Sequence, residues 1–201
     1  MNSLTKKIIA ITLSLFIAYL IYLGSFLPFR KAQKYIKTRE TQVNSLDQFN
    51  ALYDGLLNYP SPVGQDEIVS AYLEILSILI DREASNKNFN EQLVRHLVGK
   101  AEEWAGPIIE KGAGFSFSKI IFNFANVYRS ATIVLQDEEY YKKAIRFYAL
   151  GLEYSPDRTI FLYNLFDMYR FGGDKENARK IGERIMKVYK DEKVGQILQD
   201  L

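Results

Sequence analysis

An uninterrupted apolar run near the amino terminus constrains this chain most. Residues 8–29 read IIAITLSLFIAYLIYLGSFLPF and contain no charged side chain in 22 residues. As an α-helix rising about 1.5 Å per residue, the run would span about 33 Å, which matches the roughly 30 Å hydrocarbon core of a bilayer. We therefore predict a transmembrane anchor over residues 1–29, in contact with the lipid bilayer through residues 8–29, and a single-pass membrane protein.

The alternative interpretation of this run is a cleaved signal peptide. The apolar regions of signal peptides are shorter, about 7–15 residues, and are followed by a small-x-small cleavage site. Here the candidate site YLGS, residues 22–25, has a tyrosine where a small residue is needed. The anchor is therefore favoured.

The flanking charges leave the side of the membrane open. Five basic residues between positions 30 and 39 would keep the rest of the chain in the cytoplasm. A short amino-terminal tail with only Lys6 and Lys7 is nevertheless a common start for a chain whose bulk is exported.

Composition argues against several classes of function. Without Lys6 and Lys7, the chain has 24 basic and 24 acidic side chains, so it offers phosphate backbones little to bind and nucleic acid is not expected as a partner. The sequence has no cysteine, which excludes disulfides, thiolate zinc sites and cysteine nucleophiles. His96 is the only histidine, and neither a metal-ligand spacing nor a serine nucleophile motif accompanies it. We predict no catalysis, no metal and no cofactor.

After residue 30 the chain reads as helix throughout. Apolar residues recur every three or four positions, and no stretch alternates convincingly with period two. The pattern predicts an all-α class with helices over 31–43, 46–58, 64–82, 88–111, 117–136, 138–154, 157–171 and 174–189, and a short tail helix after 191. The apolar segment 68–80 contains Glu74 and is too short for a second membrane span, so we expect a buried core helix there.

Two stretches near the carboxyl terminus share a pattern of small and large residues. In YYKKAIRFYALGLEYSP, residues 140–156, Ala144 and Gly151 are small, Tyr148 is large and Pro156 follows. Closely packed helices need small residues where their backbones approach. We expect Ala144 and Gly151 to admit a neighbouring helix, Tyr148 to wedge between neighbours, and Pro156 to end the helix.

This pattern resembles the tetratricopeptide repeat, a pair of antiparallel helices of 34 residues. Matching residues in the first helices are Ile121, Phe124, Ala125 and Tyr128 in one unit, and Leu162, Leu165, Phe166 and Tyr169 in the next. The second unit has Ala178 at the usual small position, but Gly182 stands where an aromatic residue is usual and Ile185 where alanine is usual. The resemblance implies hairpins stacked as a short α-solenoid over 117–201. The segment YDGLLNYPSP, residues 53–62, echoes YALGLEYSPD, residues 148–157, and suggests degenerate repeat-like hairpins over 30–116.

A second resemblance concerns the setting. The apolar span, the segment LPFRKAQKYI and the terminal repeat pair are similar to the tail of bacterial O-antigen ligase- or polymerase-like membrane proteins. Those proteins have many membrane helices where this sequence has one, so the glycan-transferring part of that family is missing. The resemblance implies a bacterial cell envelope.

Tetratricopeptide proteins bind an extended peptide or a helix on the inner faces of their first helices. The residues at those positions here are Lys119, Phe122, Asn126, Arg129, Ile160, Tyr163, Asp167 and Arg170. Arginine, asparagine and aromatic side chains can recognise a carboxylate or a backbone amide beside apolar anchors. The resemblance thus implies a membrane-tethered scaffold or adaptor with a protein or peptide partner. Two alternatives stay open. These side chains are merely solvated or cover the preceding helices, or the chain is an accessory or split-off carboxyl-terminal part of an O-antigen ligase- or polymerase-like glycan-transferring membrane enzyme.

Overall fold

A computed structural model of the protein describes residues 2–86, 89–114 and 116–201. These residues form helices and no strands, which confirms the all-α prediction. The helices are α1 (Ser3–Ile21), a π-helical turn (Tyr22–Phe26), α2 (Leu27–Glu40), α3 (Leu46–Leu57), α4 (Gln65–Ala84), α5 (Glu91–Lys111), α6 (Phe117–Leu135), α7 (Glu138–Tyr154), α8 (Thr159–Phe171), α9 (Lys175–Tyr189) and α10 (Glu192–Asp200). The chain divides into two compact units, Met1–Ile68 and Val69–Leu201.

The first unit begins with a helix that is continuous over Ser3–Glu40. Among the described residues, this helix alone is long and apolar enough to cross a membrane, and its most apolar 18-residue window is fully exposed. The helix predicted over 31–43 is the continuation of this anchor helix and ends at Glu40.

A single π-helical turn accommodates Pro28 within this helix. Proline lacks an N–H group, and in a regular α-helix its ring would collide with the carbonyl group four residues earlier. Here the N–H of Leu27 bonds to the carbonyl oxygen of Tyr22, five residues back. The widened turn lets the helix pass through Pro28 without a break.

Helix α2 packs against α3 in the first unit. Its buried residues are Leu27, Lys31 and Thr38, and the Lys31 ammonium donates to Oε1 of Gln65 at 2.5 Å. Ser45 caps α3 by accepting from the N–H of Gln48 at 3.2 Å. One face of α2 is therefore covered by protein, while its other residues stay exposed.

In the second unit, α5, α6, α7, α8 and α9 each pack against the next helix along the chain. Helix α6 is the most deeply buried of them, and its buried residues run from Phe117 to Val134. Helix α4 contributes Tyr72, Leu73, Leu76 and Ile80, none of which is exposed. The apolar segment 68–80 is thus a buried core helix, as predicted.

Side-chain contacts also join alternate helices of this unit. The Asn123 amide of α6 donates to the carbonyl oxygen of Ser70 in α4 at 2.8 Å. Lys143 of α7 pairs with Glu102 of α5 at 3.0 Å. The Phe122 ring of α6 meets the Phe161 ring of α8 edge-on, with centroids 5.8 Å apart. Side chains therefore join α4 to α6, α5 to α7 and α6 to α8.

Local capping residues set the helix boundaries. Asn90, Asp137, Asp174 and Asp191 each accept a hydrogen bond from a backbone N–H in the first turn that follows. Helix α5 begins at Glu91 rather than at the predicted position 88, which lies outside the described residues. Gly112 ends α5 in the left-handed conformation, with φ of 67°.

The small residues of α7 are structural, as the sequence predicted. Gly151 and Ala144 are buried, and the Phe161 ring of α8 occupies the space that a Cβ atom at residue 151 would need. The glycine of the echoing segment, Gly55, aligns with Leu150 rather than with Gly151, and no atom lies within 4 Å of a Cβ atom placed on it. The two segments therefore use their glycines differently.

Gly182 departs from the repeat pattern for a packing reason. A Cβ atom at this position would lie 2.7 Å from Leu198 of α10 and 2.9 Å from Phe166 of α8. An aromatic side chain at residue 182 would occupy the same space as Leu198. The terminal helix α10 thus packs where the repeat usually has its aromatic residue.

Candidate functional site

Three of the predicted groove residues lie along one side of α6. Phe122 packs its ring near the rings of Tyr148 and Phe161, with centroid distances of 6.3 and 5.8 Å. Asn126 accepts a hydrogen bond from the Tyr148 hydroxyl at 2.5 Å. Arg129 lies 3.9 Å from a carboxylate oxygen of Asp81 at the end of α4. All three predicted side chains are partly exposed.

The Tyr148 hydroxyl connects this side of α6 to α8. The ring of Tyr148 is fully buried, while the hydroxyl approaches Oδ1 of Asn126 at 2.5 Å and Oδ1 of Asn164 at 3.5 Å. Tyr148 therefore wedges between α6 and α8, as its position in the sequence predicted. We call Asp81, Asn126, Arg129, Tyr148, Asn164 and Asp167 the Tyr148 cluster.

Burial keeps the Tyr148 hydroxyl protonated at neutral pH. Burial has the largest effect and raises the pKa of Tyr148; Arg129 lowers this pKa, and Asp81 and Asp167 raise it again. Tyr148 is therefore a hydrogen-bond donor to Asn126. This bond orients the Asn126 amide, and its NH₂ group can donate to a ligand.

Arg129 is held beside this surface without a close ion pair. Its 3.9 Å separation from Asp81 exceeds hydrogen-bond distance, and its side chain is 34% exposed. Its Nε atom is buried and makes no hydrogen bond within the described residues. The Arg129 guanidinium can still bind a carboxylate ligand, because Asp81 is too far away to accept hydrogen bonds from its terminal N–H groups.

Of the predicted groove residues on α8, Asp167 belongs to the Tyr148 cluster and Tyr163 does not. Asp167 is exposed and pairs with Arg170 at 3.3 Å, and Arg170 lies 5.4 Å from the centroid of the Phe166 ring. Tyr163 instead donates to Asp191, the capping residue of α10, at 2.5 Å. This hydrogen bond raises the pKa of Tyr163 to about 12 and lowers the pKa of Asp191. Tyr163 thus stabilises the docking of α10.

Two predicted groove residues lie at the far end of this surface. Lys119 is exposed near the start of α6, and Ile160 is 39% exposed near the start of α8. Close to both, Arg158 donates to the Ser118 hydroxyl at 2.7 Å and joins the two helix starts. The structure therefore brings Phe122, Asn126, Arg129 and Asp167 together around Tyr148, with Lys119 and Tyr163 outside that group.

Sequence reasoning did not assign Asp81, Asn164 or Tyr148 to the site. The sequence pattern identified Tyr148 as a packing residue only. Because a buried tyrosine hydroxyl needs a hydrogen-bond partner, it could have indicated a polar residue nearby. Asn164 follows directly on Tyr163 but donates to the carbonyl of Ile160 at 2.8 Å, one turn back, which fixes it beside α6. Asp81 lies at the end of a helix whose distance from Arg129 depends on the tertiary packing.

A second polar network, on α5 and α7, is internally paired. The Tyr128 hydroxyl donates to Glu102 at 2.7 Å, and Lys143 pairs with Glu102 and Glu139 at 3.0 and 2.9 Å. Lys143 also lies over the Tyr128 ring at 5.4 Å. Because these groups satisfy one another, we interpret this network as structural.

His96 is exposed on α5. Within the described parts of the chain, no three histidine, cysteine, aspartate or glutamate side chains are arranged so that they could hold a metal ion.

Comparison with known proteins gives no relative: no family model, no curated protein and no solved structure matches this chain. The resemblances drawn from the sequence therefore stay predictions.

Proposed function

We propose that this protein is a membrane-tethered scaffold whose second unit is a short stack of tetratricopeptide-like hairpins and binds a protein partner at the Tyr148 cluster. The anchor holds the binding surface near the membrane of a bacterial envelope. Tethering raises the local concentration of the scaffold near other membrane components, so moderate intrinsic affinity suffices.

The alternate-helix contacts support the stacking part of this proposal. In a stack of hairpins, the first helix of one hairpin packs against the first helix of the next. Here α6 contacts both α4 and α8, and Tyr163 of α8 bonds to Asp191 at the start of α10. The surface that carries the Tyr148 cluster is therefore formed by α4, α6 and α8, the helices that would be first in their hairpins.

The single observation that carries the binding proposal is the hydrogen bond from Tyr148 to Asn126, 2.5 Å long. It fixes the Asn126 amide on a partly exposed surface with its NH₂ group available to a backbone carbonyl. Arg129 lies one turn further along α6 and can bind a carboxylate. Phe122 and Ile160 provide apolar contact area at the other end.

The arrangement fits an extended segment that carries a carboxylate at one end and an apolar side chain at the other. Arg129 and Arg170 would recognise the carboxylate, and Asn126 would bind a peptide carbonyl between them and Phe122. Recognition of this kind uses a few oriented polar groups beside apolar anchors.

The test is crosslinking and affinity capture of the tagged full-length protein from native membranes. We expect Arg129→Glu/Arg170→Glu to abolish capture of the partner and to leave helicity unchanged by far-ultraviolet circular dichroism. The matched control is Arg146→Glu/Arg179→Glu, which makes the same charge change at two exposed arginines on α7 and α9.

Capture that is unchanged by Arg129→Glu/Arg170→Glu would contradict the proposal. The identity of the captured protein distinguishes the two functions predicted from the sequence. A polytopic glycan-transferring enzyme would make this chain an accessory subunit, whereas a secretion, chaperone or division complex would make it an adaptor.

A further inference from the structure

We propose that the first unit contains a binding site for anionic phospholipid, in which Lys34 and Lys37 hold the lipid phosphate in a cleft between α2 and α3. This inference rests on the membrane anchoring that is part of the proposed function. It adds a specific ligand class, the headgroup of an anionic lipid in the leaflet next to α2.

The helix geometry fixes where these lysines lie. Because the helix is continuous from Ser3 to Glu40, residues after the apolar run continue along the same axis. At about 1.5 Å per residue, the Cα atoms of Arg30, Lys34 and Lys37 lie about 1.5, 7.5 and 12 Å beyond Phe29. The headgroup layer on each side of a bilayer is roughly 5–8 Å thick, so Arg30 and Lys34 fall within or at the edge of it.

The direction of the side chains also lets the Lys37 ammonium approach the lipid headgroups. In an α-helix the Cα–Cβ bonds tilt toward the amino terminus. The amino-terminal direction of α2 is the membrane direction, so the long side chains of Lys34 and Lys37 lean back toward the headgroups. Spacings of three and four residues place Arg30, Lys34 and Lys37 on one face of the helix.

These three cations are exposed and available to a ligand. Arg30, Lys34 and Lys37 are all exposed, in contrast to Lys31, which is buried and bonded to Gln65. No carboxylate in the described part of the chain forms an ion pair with any of the three, within 4.0 Å. Three cations within or near one Debye length of the membrane, about 8 Å at physiological ionic strength, favour anionic over zwitterionic lipid.

A cleft lies directly beside Lys34 and Lys37. It has a volume of about 230 Å³ and is lined by these lysines together with Thr38, Ala51, Leu52, Gly55 and Leu56. Gly55 lines the cleft, and the space beside it is open, since no atom lies within 4 Å of the place where a Cβ atom would stand. Two ammonium groups beside an apolar wall match a lipid phosphate with its glycerol group.

Lys34 is also held in position by an aromatic ring. Its ammonium lies 5.2 Å from the centroid of the Tyr59 ring, which follows the end of α3. A cation–π contact of this kind limits where the ammonium can move without neutralising it. The cleft therefore presents at least one oriented cation to the phosphate.

The test uses the full chain reconstituted in vesicles of equal parts phosphatidylglycerol and phosphatidylcholine. After extraction in a neutral detergent, native mass spectrometry gives the ratio of the two lipids that stay bound. We expect the wild type to retain phosphatidylglycerol in several-fold excess, and Lys34→Gln/Lys37→Gln to bring that ratio close to one. Gly55→Leu fills the cleft without changing charge, so it should lower the ratio as well.

The control is Lys180→Gln/Lys187→Gln, which removes two exposed lysines from α9 and should leave the ratio unchanged. Equal retention of the two lipids by the wild type would overturn the lipid site, as would an equal loss in the α9 control. Alkaline extraction of the same vesicles tests the anchor separately. Loss of the wild type from the membrane would overturn both the anchor and the lipid site, whereas a retained protein without lipid preference overturns the lipid site alone.

Discussion

The Phe161 ring of α8 packs directly against the backbone of Gly151 in α7, in the space that a Cβ atom at residue 151 would occupy. Phe161 is fully buried, and its ring also meets Phe122 of α6. One missing side chain on α7 therefore lets α8 contact both preceding helices. The surface that carries Asn126 and Asn164 depends on this packing.

Gly151→Ala is expected to destabilise the protein. The new methyl group would overlap the Phe161 ring, and overpacking of a core costs about 1–3 kcal/mol of unfolding free energy. Urea unfolding of the full chain in detergent micelles, followed by circular dichroism, measures this change. Gly99→Ala is the matched control, since Gly99 is helical with no atom within 4 Å of the added carbon. The control should be more stable than the wild type by about 0.4–1 kcal/mol, and equal effects of the two substitutions would contradict the packing described here.

Tyr148→Phe is expected to affect binding more than stability. Removing the hydroxyl leaves the Asn126 oxygen without its donor and frees the amide to rotate, at a cost of about 1 kcal/mol of unfolding free energy. Partner capture should fall clearly while helicity is kept. Tyr128→Phe removes a hydroxyl that donates to Glu102 in the other polar network, so it should leave capture unchanged. If both variants captured the partner as well as the wild type, Asn126 would not need to be oriented by Tyr148.

The docking of α10 is expected to depend on pH through Tyr163 and Asp191. Their hydrogen bond lowers the pKa of Asp191, so its contribution is present above the ordinary aspartate pKa of about 3.9 and is lost as the pH falls through the lowered value. The same bond raises the pKa of Tyr163 to about 12, so its contribution is present below the ordinary tyrosine pKa of about 10 and is lost as the pH rises through 12.

Tyr163→Phe removes this dependence because it removes the donor. The difference in melting temperature between wild type and Tyr163→Phe should be larger at about pH 6 than in acid below the lowered pKa of Asp191, where this carboxyl group is protonated. Thermal unfolding of both proteins at the two pH values gives the comparison. A difference that does not change between them would show that the hydrogen bond does not stabilise the docked α10.

Two lysines in the middle of the apolar run 8–29 are expected to release the protein from membranes. Each Lys at the centre of a membrane-spanning helix costs about 2.5–3.5 kcal/mol of insertion free energy, so Ile17→Lys/Leu20→Lys should move a large fraction of the chain to the soluble fraction after alkaline extraction. Ile36→Lys is the control, because Ile36 is exposed on α2 beyond the apolar run. Retention of the double variant in the membrane would contradict the anchor.

Local signals in the sequence predicted most of the helices. The capping aspartates, Gly112 and Pro156 mark helix ends chemically, and the predicted boundaries of α6 to α9 agree with the structure within two residues. The continuation of α1 into α2 was missed because the anchor was ended where the uncharged run ends, whereas the helix continues through a π-helical turn to Glu40. The spacing of apolar residues could not predict the π-helical turn, because the turn depends on a backbone hydrogen bond that spans five residues instead of four.

The candidate site could be predicted only in part, for a similar reason. Phe122, Asn126 and Arg129 share a side of α6 by their spacing alone, so helical geometry predicts that they lie together. The approach of Tyr148 to both Asn126 and Asn164 depends on the crossing of three helices, which local spacing does not determine. Tyr163 turned toward Asp191 because α10 packs in the space beside Gly182, and nothing in the first helices indicates that contact.

Site-specific photocrosslinking tests the central claim most directly. A photoreactive amino acid replaces Asp167, which is exposed in the Tyr148 cluster, or Arg179, which is exposed on α9. After irradiation of native membranes, we predict a covalent adduct with one partner protein from position 167 and none from position 179. Adducts from position 179 alone, or equally from both positions, would contradict binding at the Tyr148 cluster.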